Sequence, residues 1–329
     1  MGTVEERDRL VESQRPTSEV ARPRRGWAPF SSLAHSEKWA GYLFISPWAI
    51  GFLVFTAGPM LASLYLSFTE YDVLRPMEFI GWENYQELLE DTRLRQSLIN
   101  SFYYTALHVP LATILALALA QLLAGVSGRM AHFFRTVFYV PSVTPGVAVG
   151  ALFLWILNPH IGLLNRGLEA LGIPGPGWTT DPAWIKPGIV IMSLWSLGGT
   201  VVIYYAALQN VPRSLYEASR IDGASSWQQF RHITLPMISG AIFFTLIVNT
   251  IASLQLFTEV YTMYFGQMRS GTASTAALFY VIYLFRQAFE FFNMGYASAM
   301  AWVLFVIIMI LTAIQLRLSK RWVYYEGGN

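Results

Sequence analysis

The sequence predicts an all-α membrane protein with six transmembrane helices and both termini cytoplasmic. Three observations predict it. The 329 residues are 54% hydrophobic and only 13% charged, where soluble domains carry roughly 25% charge. Six stretches reach the ~20 apolar residues that a bilayer span needs: about 40–68, 98–124, 136–157, 187–210, 237–265 and 292–316. Lys and Arg also vary in density from loop to loop. The N-terminal tail, loop 125–135, loop 211–236 and the segment from 317 onward together hold 15, and the other three loops hold 7. The richer set belongs in the cytoplasm. Loop 69–97, with seven acids against three bases, then faces outward.

Residues 1–38 carry seven Lys/Arg and six Asp/Glu, with Pro16, Pro23 and Pro29. Such a segment buries too little apolar surface to fold alone, so it is expected to be a flexible cytoplasmic tail. The transmembrane domain is expected over 39–316 and a second cytoplasmic tail over 317–329. The first apolar run starts near Ala40 and Gly41 after this polar tail. It is too long for a signal-peptide core, so a span that stays in place is expected.

Several spans contain helix breakers: Pro47 and Pro59, Pro110, Pro141 and Pro145, and the pair Gly198-Gly199. Breakers persist in membranes where neighbouring helices or a lined cavity satisfy the freed backbone groups. Two readings stand, packing kinks and a pathway through the bundle.

Loop 211–236 reads VPRSLYEASRIDGASSWQQFRHITLP, and its local chemistry predicts two short helices. Ser214 and Glu217 have capping-box spacing, and Leu215, Ala218 and Ile221 mark one apolar face. Gly223 suits the left-handed residue that ends a helix. A second start follows at Ser225 with Gln228 three residues on, and Trp227, Phe230 and Ile233 repeat the three-residue spacing. Two amphipathic helices with large exposed side chains fit docking to a partner. Lying in the headgroup region and folding back on the bundle are the alternatives.

Glu217-Ala218-Ser219, Asp222-Gly223-Ala224, Phe230, Ile233, Leu235 and Pro236 resemble the EAA loop of ABC importer permeases, with Ser219 where alanine is usual. Phe79-Ile80-Gly81-Trp82-Glu83-Asn84-Tyr85, Tyr139-Val140-Pro141 and Met294-Gly295-Tyr296-Ala297-Ser298-Ala299 resemble segments of the carbohydrate-uptake class (the maltose and glycerol-phosphate type). Trp322-Val323-Tyr324-Tyr325-Glu326 resembles the C-terminal end of lactose and arabinose-oligomer permeases.

This resemblance implies the type I importer permease fold in a bacterial plasma membrane. It also implies heterodimerisation with a second permease, two copies of an ATP-binding subunit and an extracytoplasmic sugar-binding protein. The loop following the fourth span would be the coupling element to the ATPase.

The chain has no Gly-x-x-x-x-Gly-Lys motif, so it has no loop to cradle ATP. It is expected to bind no cofactor, with ATP and Mg held on the partner ATPase. Absent cysteine excludes Cys-zinc sites, iron–sulfur clusters and thiol catalysis. The histidines are scattered, and His108 is expected to be a hydrogen-bonded packing residue. No catalytic residue and no metal site is expected, and the near-neutral net charge of +2 excludes a concentrated nucleic-acid-binding face. Membrane lipid is the remaining partner. An ion-coupled secondary carrier is the rival reading, but such carriers hold ionisable residues at mid-membrane. Of Asp, Glu, Lys and Arg, only Glu259 lies clearly inside a span.

A sugar requires hydrogen-bonding groups and apolar faces. The fifth span offers Asn249, Ser253 and Gln255, with Asn249 and Ser253 four apart on one face. The fourth offers Trp195, Ser196 and Gly199, where backbone can approach a ligand. The resemblance carries the family's transmembrane sugar site to this neighbourhood. Small polar residues bonding between helices are the alternative. Glu259 and Tyr261, in a stretch resembling one near the family's periplasmic mouth, are candidates for a gate. Thr258 stands at the family's usual aspartate, and hydration of Glu259 at the interface is the second reading.

Overall fold

A computed structural model of the chain describes residues 30–72, 74–126, 128–265 and 275–324. Residues 1–29 of the expected tail, and Tyr325 and Glu326 at the other end, lie outside the described residues. The chain divides into two compact units, Met1–Met60 and Leu61–Asn329. In the first, helix α1 (Phe30–Phe52) starts well before the apolar run at Ala40, carries Pro47 without interruption and runs into a π-helical turn at Leu53–Ala57. Helix α2 (Gly58–Leu66) follows.

After α2, the second unit holds a two-residue strand pair, β1 (Thr69–Glu70) against β2 (Glu78–Phe79), antiparallel. Helices α3 (Glu83–Glu90) and α4 (Thr92–Ala124) come next. Asp91 separates them for a physical reason. Its carboxylate caps α4 by accepting the N–H groups of Arg93 at 2.7 Å and Leu94 at 3.1 Å, satisfying two of the orphan donors at a helix start. Its second oxygen accepts the hydroxyls of Tyr283 and Tyr296, each at 2.7 Å. Burial raises the carboxyl's pKa, but the four hydrogen bonds outweigh it and hold the group below its ordinary 3.8. Burial and this carboxylate push the Tyr283 hydroxyl up to about 12.

Around this point the chain ties itself together through buried amides. Asn84 donates to the carbonyls of Ser67 and Thr69. Asn100 donates to those of Thr275 and Leu278, and Ser101 accepts the N–H of Tyr280.

Helix α4 keeps its course through Pro110 for 33 residues. Further along it, Ala112, Ala116 and Ala120 recur every four residues and are fully buried. Their missing bulk lets α4 close on α9 (Gly198–Gln209), where Val201, Tyr204 and Tyr205 complete the cluster. Small residues at this spacing are how membrane helices approach one another.

Two expected spans are broken. Helix α5 (Arg129–Tyr139) continues in a 3-10 turn to Val143 and meets α6 (Gly146–Ile156) at a 98° bend. The cause is Pro145, which lacks an N–H and forces Thr144 into the extended region, with ψ 130. Helix α7 (Leu163–Ala170) lies in the following loop. Helix α8 (Pro182–Leu194) meets α9 at 51°. There Gly198 touches the backbone carbonyl of Phe138, a contact that any Cβ would block.

The loop after α9 holds α10 (Arg213–Ile221) and α11 (Ser226–Gln229). A π-turn at Phe230–Thr234 and the short α12 (Leu235–Met237) lead into α13 (Ser239–Leu254). Helix α14 (Thr258–Tyr264) continues the same span after an unwound Gln255–Phe257. Helix α15 (Tyr280–Phe285), a π-turn at Arg286–Glu290 and α16 (Met294–Ser319) complete the described chain.

Among the described residues four helical stretches are long and apolar enough to cross a membrane: Trp39–Leu66, Thr92–Ala124, Ser239–Tyr264 and Met294–Ser319. Counting each bent pair as one span brings the number to six.

Candidate translocation cavity and coupling loop

The broken helices meet at one hollow. A cavity of about 350 Å³ lies where α4, α8–α9, α6 and the unwound link between α13 and α14 converge. Ser196, Asn249, Ser253, Gln255 and Glu259, all singled out from the sequence, line it. Asn249 and Ser253 do so from one face of α13, as their four-residue spacing requires. The unwound Gln255–Phe257 borders the cavity as well, which is where irregular backbone inside a membrane is tolerated.

Two residues selected for the sugar pathway lie apart from the lining. Trp195 packs its ring edge-on against Phe153, centroids 5.9 Å apart. Gly199 has open space beside it and does not border the cavity, because Gly198 is the glycine that makes the close contact.

Helix α4 supplies a wall that the sequence reading left out. Tyr104 and His108 lie one turn apart with rings stacked at 5.0 Å and 7°. The Tyr104 hydroxyl donates to Ser193 Oγ at 2.8 Å, and Ser193 donates to the carbonyl of Ile189. His108 Nδ1 and Ser253 Oγ share a hydrogen bond of 3.0 Å. His108 is hydrogen-bonded, as expected, and it also lines the cavity. Its position four residues after Tyr104 was the available signal, since both then share a helix face.

Glu259 and Tyr261 point to different surroundings. Glu259 borders the cavity against α6, where Gly146 and Gly150 let the helices touch. A Cβ at Gly150 would stand 2.7 Å from the Glu259 carbonyl oxygen, and one at Gly146 would stand 2.7 Å from its carboxylate. Tyr261 instead donates to Glu290 at 3.2 Å and stacks on Phe257 at 5.1 Å. Glu290 is itself paired with Arg286 at 2.7 Å. Among the described residues no group of three or more His, Asp or Glu gathers to hold a metal.

The 211–236 loop forms the two helices that its pattern predicts. Gly223 has φ +79. The N–H of Ala224 reaches the carbonyl of Ser219, and that of Gly223 reaches Arg220, the paired bonds of a Schellman motif. Ser225 and Gln228 form a complete capping box. The box expected of Ser214 and Glu217 is absent, because α10 starts two residues early with Pro212 at its cap.

Tyr216 ties α10 to the π-turn after α11 through Thr234, oxygen to oxygen at 2.9 Å, which turns Tyr216 and Ser219 towards the chain. Leu215, Ala218 and Ile221 are therefore left outward, with Glu217, Asp222 and Gly223 also exposed. Ile221 is 88% and Trp227 66% exposed, and the Trp227 ring stacks on Phe230 at 5.6 Å. Ala224, Phe230, Ile233, Leu235 and Pro236 are half-buried beneath this surface.

Comparison with known proteins identifies the family of the chain. Residues 96–324 match the family described as binding-protein-dependent transport system inner membrane component. The chain is 40% identical to the probable ABC transporter permease protein YesP of Bacillus subtilis over 88% of its length and 93% of that protein's. It is 36% identical to the lactose transport system permease protein LacF of Rhizobium radiobacter, over 84% and 92% of the two chains. The fold resembles a chain of a bacterial ABC transporter that imports the acidic polysaccharide alginate, with TM-score 0.76, 23% identity and coverage of 87% and 96%. The chain therefore belongs to the family of binding-protein-dependent transport system inner membrane components, and is a membrane-embedded ABC permease subunit, not an enzyme.

Proposed function

We propose that this chain is the permease of an ATP-driven sugar or oligosaccharide importer and forms its pathway with a second, similar permease. The cavity supports a saccharide cargo, because it gathers serine, asparagine and glutamine groups from α8 and its break before α9, from α13 and from the unwound link, beside aromatic rings. That combination matches hydroxyls and C–H faces alike. The lactose transport system permease among the relatives points to the same cargo class.

The observation that carries the coupled mechanism is the uncovered apolar face of α10 and α11, with Ile221 and Trp227 exposed. We infer that this face docks on an ATP-binding subunit, one copy under each permease, with an extracytoplasmic sugar-binding protein on the opposite side. Both termini and the 211–236 loop then lie in the cytoplasm, as the Lys/Arg distribution requires. ATP and Mg bind the partner subunits. Their closure pulls the two coupling loops together and turns the cavity from one side of the membrane to the other.

The test is uptake into proteoliposomes. The assembled complex should concentrate a saccharide only with ATP and the ATPase present. Concentrative uptake by the permeases alone would contradict the coupling.

A further inference from the structure

Resting on the sugar-permease reading, we infer that His108 is a specificity-determining residue that reads a hydroxyl of the passing sugar. The residues singled out from the sequence lie on the spans holding α8–α9 and α13–α14. The geometry adds a third wall from α4.

Tyr104 forms the foundation of that wall. It is 2% exposed, its hydroxyl is used by Ser193, and its ring packs at right angles to that of Phe279, centroids 5.6 Å apart. The His108 ring lies flat on this fixed ring and is half-buried. Two constraints therefore set its orientation, the stack on one face and the bond from Nδ1 to Ser253 Oγ.

Among the described residues the imidazole makes that one hydrogen bond, which leaves Nε2 for a ligand. The Ser253 hydroxyl both donates and accepts. When it donates to Nδ1, Nε2 carries the proton and is a donor. When it accepts, Nε2 is an acceptor. A sugar hydroxyl can meet either state, since it too has one donor and two lone pairs. A pinned imidazole with a rotatable hydroxyl behind it therefore suits a neutral polyol. An alkyl group in place of the sugar hydroxyl would leave the nitrogen without a partner.

Among the described residues the lining also contains neither Lys nor Arg, and its one charged residue there is the acidic Glu259. Uncharged saccharides fit this wall better than anionic ones.

The experiment crosses a protein change with a ligand change. The complete complex, with its ATPase, second permease and binding protein, is reconstituted. Uptake of lactose, maltose, cellobiose and melibiose is measured, followed by the monodeoxy analogues of whichever is transported. In the wild type, one analogue should lose about tenfold in kcat/KM, the scale of one hydrogen bond. In His108→Phe, which keeps an aromatic ring on Tyr104 but has no ring nitrogen, the ratio of parent to that analogue should fall about tenfold from its wild-type value.

His108→Gln, which restores a hydrogen-bonding group, should recover part of the discrimination. Ser253→Ala should reduce it by releasing the ring. The binding protein meets the same analogues in every variant, so its own preference cancels from the ratio. Co-purification with the second permease checks that each variant assembles.

Full deoxy-sugar penalties in His108→Phe or, if that variant does not assemble, in both His108→Gln and Ser253→Ala, would overturn the assignment. Absence of uptake of all four sugars by the wild-type complex would instead overturn the sugar reading beneath it.

Discussion

The cluster around Asp91 and the 211–236 loop use their side chains in opposite ways. Around Asp91 polar groups are consumed internally. Two tyrosine hydroxyls and two backbone N–H groups satisfy one carboxylate, and Asn84 and Asn100 each hold two carbonyls. In the loop, apolar groups are left over, with Ile221 and Trp227 outside while Tyr216 bonds α10 to Thr234 in the π-turn after α11. The first region is complete as it stands and makes a fixed platform. The second is rigid in its turn but unfinished on its surface, which is what a coupling element docking to another subunit requires. Position supports the division, since one lies at the start of α4 and the other follows α9 beside that helix's far end.

Breaking the loop's turn should have the largest effect. Gly223 stands at φ +79 with open space around it, so Gly223→Val suffers from backbone strain and not from collision. A left-handed residue with a Cβ costs roughly 1–2 kcal/mol, and a β-branched one is a genuine outlier there. The Trp227/Phe230 pair should lose its placement, and ATPase stimulation by the loaded binding protein should fall at least tenfold in the assembled complex. Gly223→Ala should lie between the two.

The cavity comes next. Ser196→Leu/Asn249→Leu removes hydrogen-bonding groups from two of its walls while keeping both spans apolar. Sugar uptake should fall about tenfold or more, at one to two hydrogen bonds of roughly 1 kcal/mol each, with normal assembly on purification. Wild-type uptake would place the pathway elsewhere.

A smaller effect is expected where the molecule is complete. Asp91→Ala removes the cap and two tyrosine bonds, a loss of about 1–3 kcal/mol visible as a lower unfolding temperature. Coupling should persist wherever the protein remains folded. The carboxyl is held below 3.8 in the folded chain, so its stabilisation is present above 3.8 and lost as pH falls through the depressed folded value. Wild type should show this acid limb, and Asp91→Asn should lack it. Identical acid limbs would show that Asp91 contributes nothing.

The smallest local effect belongs to Glu217. Its side chain makes no hydrogen bond among the described residues and caps no helix, so Glu217→Ala should leave the subunit's own stability within about 0.5 kcal/mol. A severe loss of coupled transport there would assign its carboxylate to the contact with the ATPase.

These contrasts also explain what was legible in the sequence. Apolar length located the spans, and positive φ at Gly223 followed from residue type alone. Proline was a partial guide. Pro145 breaks its span, whereas Pro47, Pro110 and Pro187 sit inside continuous helices. A proline's consequence depends on whether its neighbours satisfy the freed carbonyl, and the chain's own letters do not record that.

The unwound Gln255–Phe257 was missed because it contains neither glycine nor proline. Tyr104 and His108 were missed as lining because an aromatic stripe on a membrane helix reads the same whether it faces protein or a cavity. The Ser214–Glu217 capping box failed by two residues, since Pro212 sets the helix start.

The central claim is that the face of α10–α11 is covered by an ATP-binding subunit while the opposite end is not. The chain contains no cysteine, so single cysteines report without background. The deciding measurement is thiol labelling of Ile221→Cys and Leu74→Cys, both at side chains more than 85% exposed, with and without the ATP-binding subunit. Ile221→Cys should label readily in the permease pair and become protected at least tenfold in the full complex, while Leu74→Cys labels equally in both. Equal labelling of Ile221→Cys in the two preparations would contradict the account.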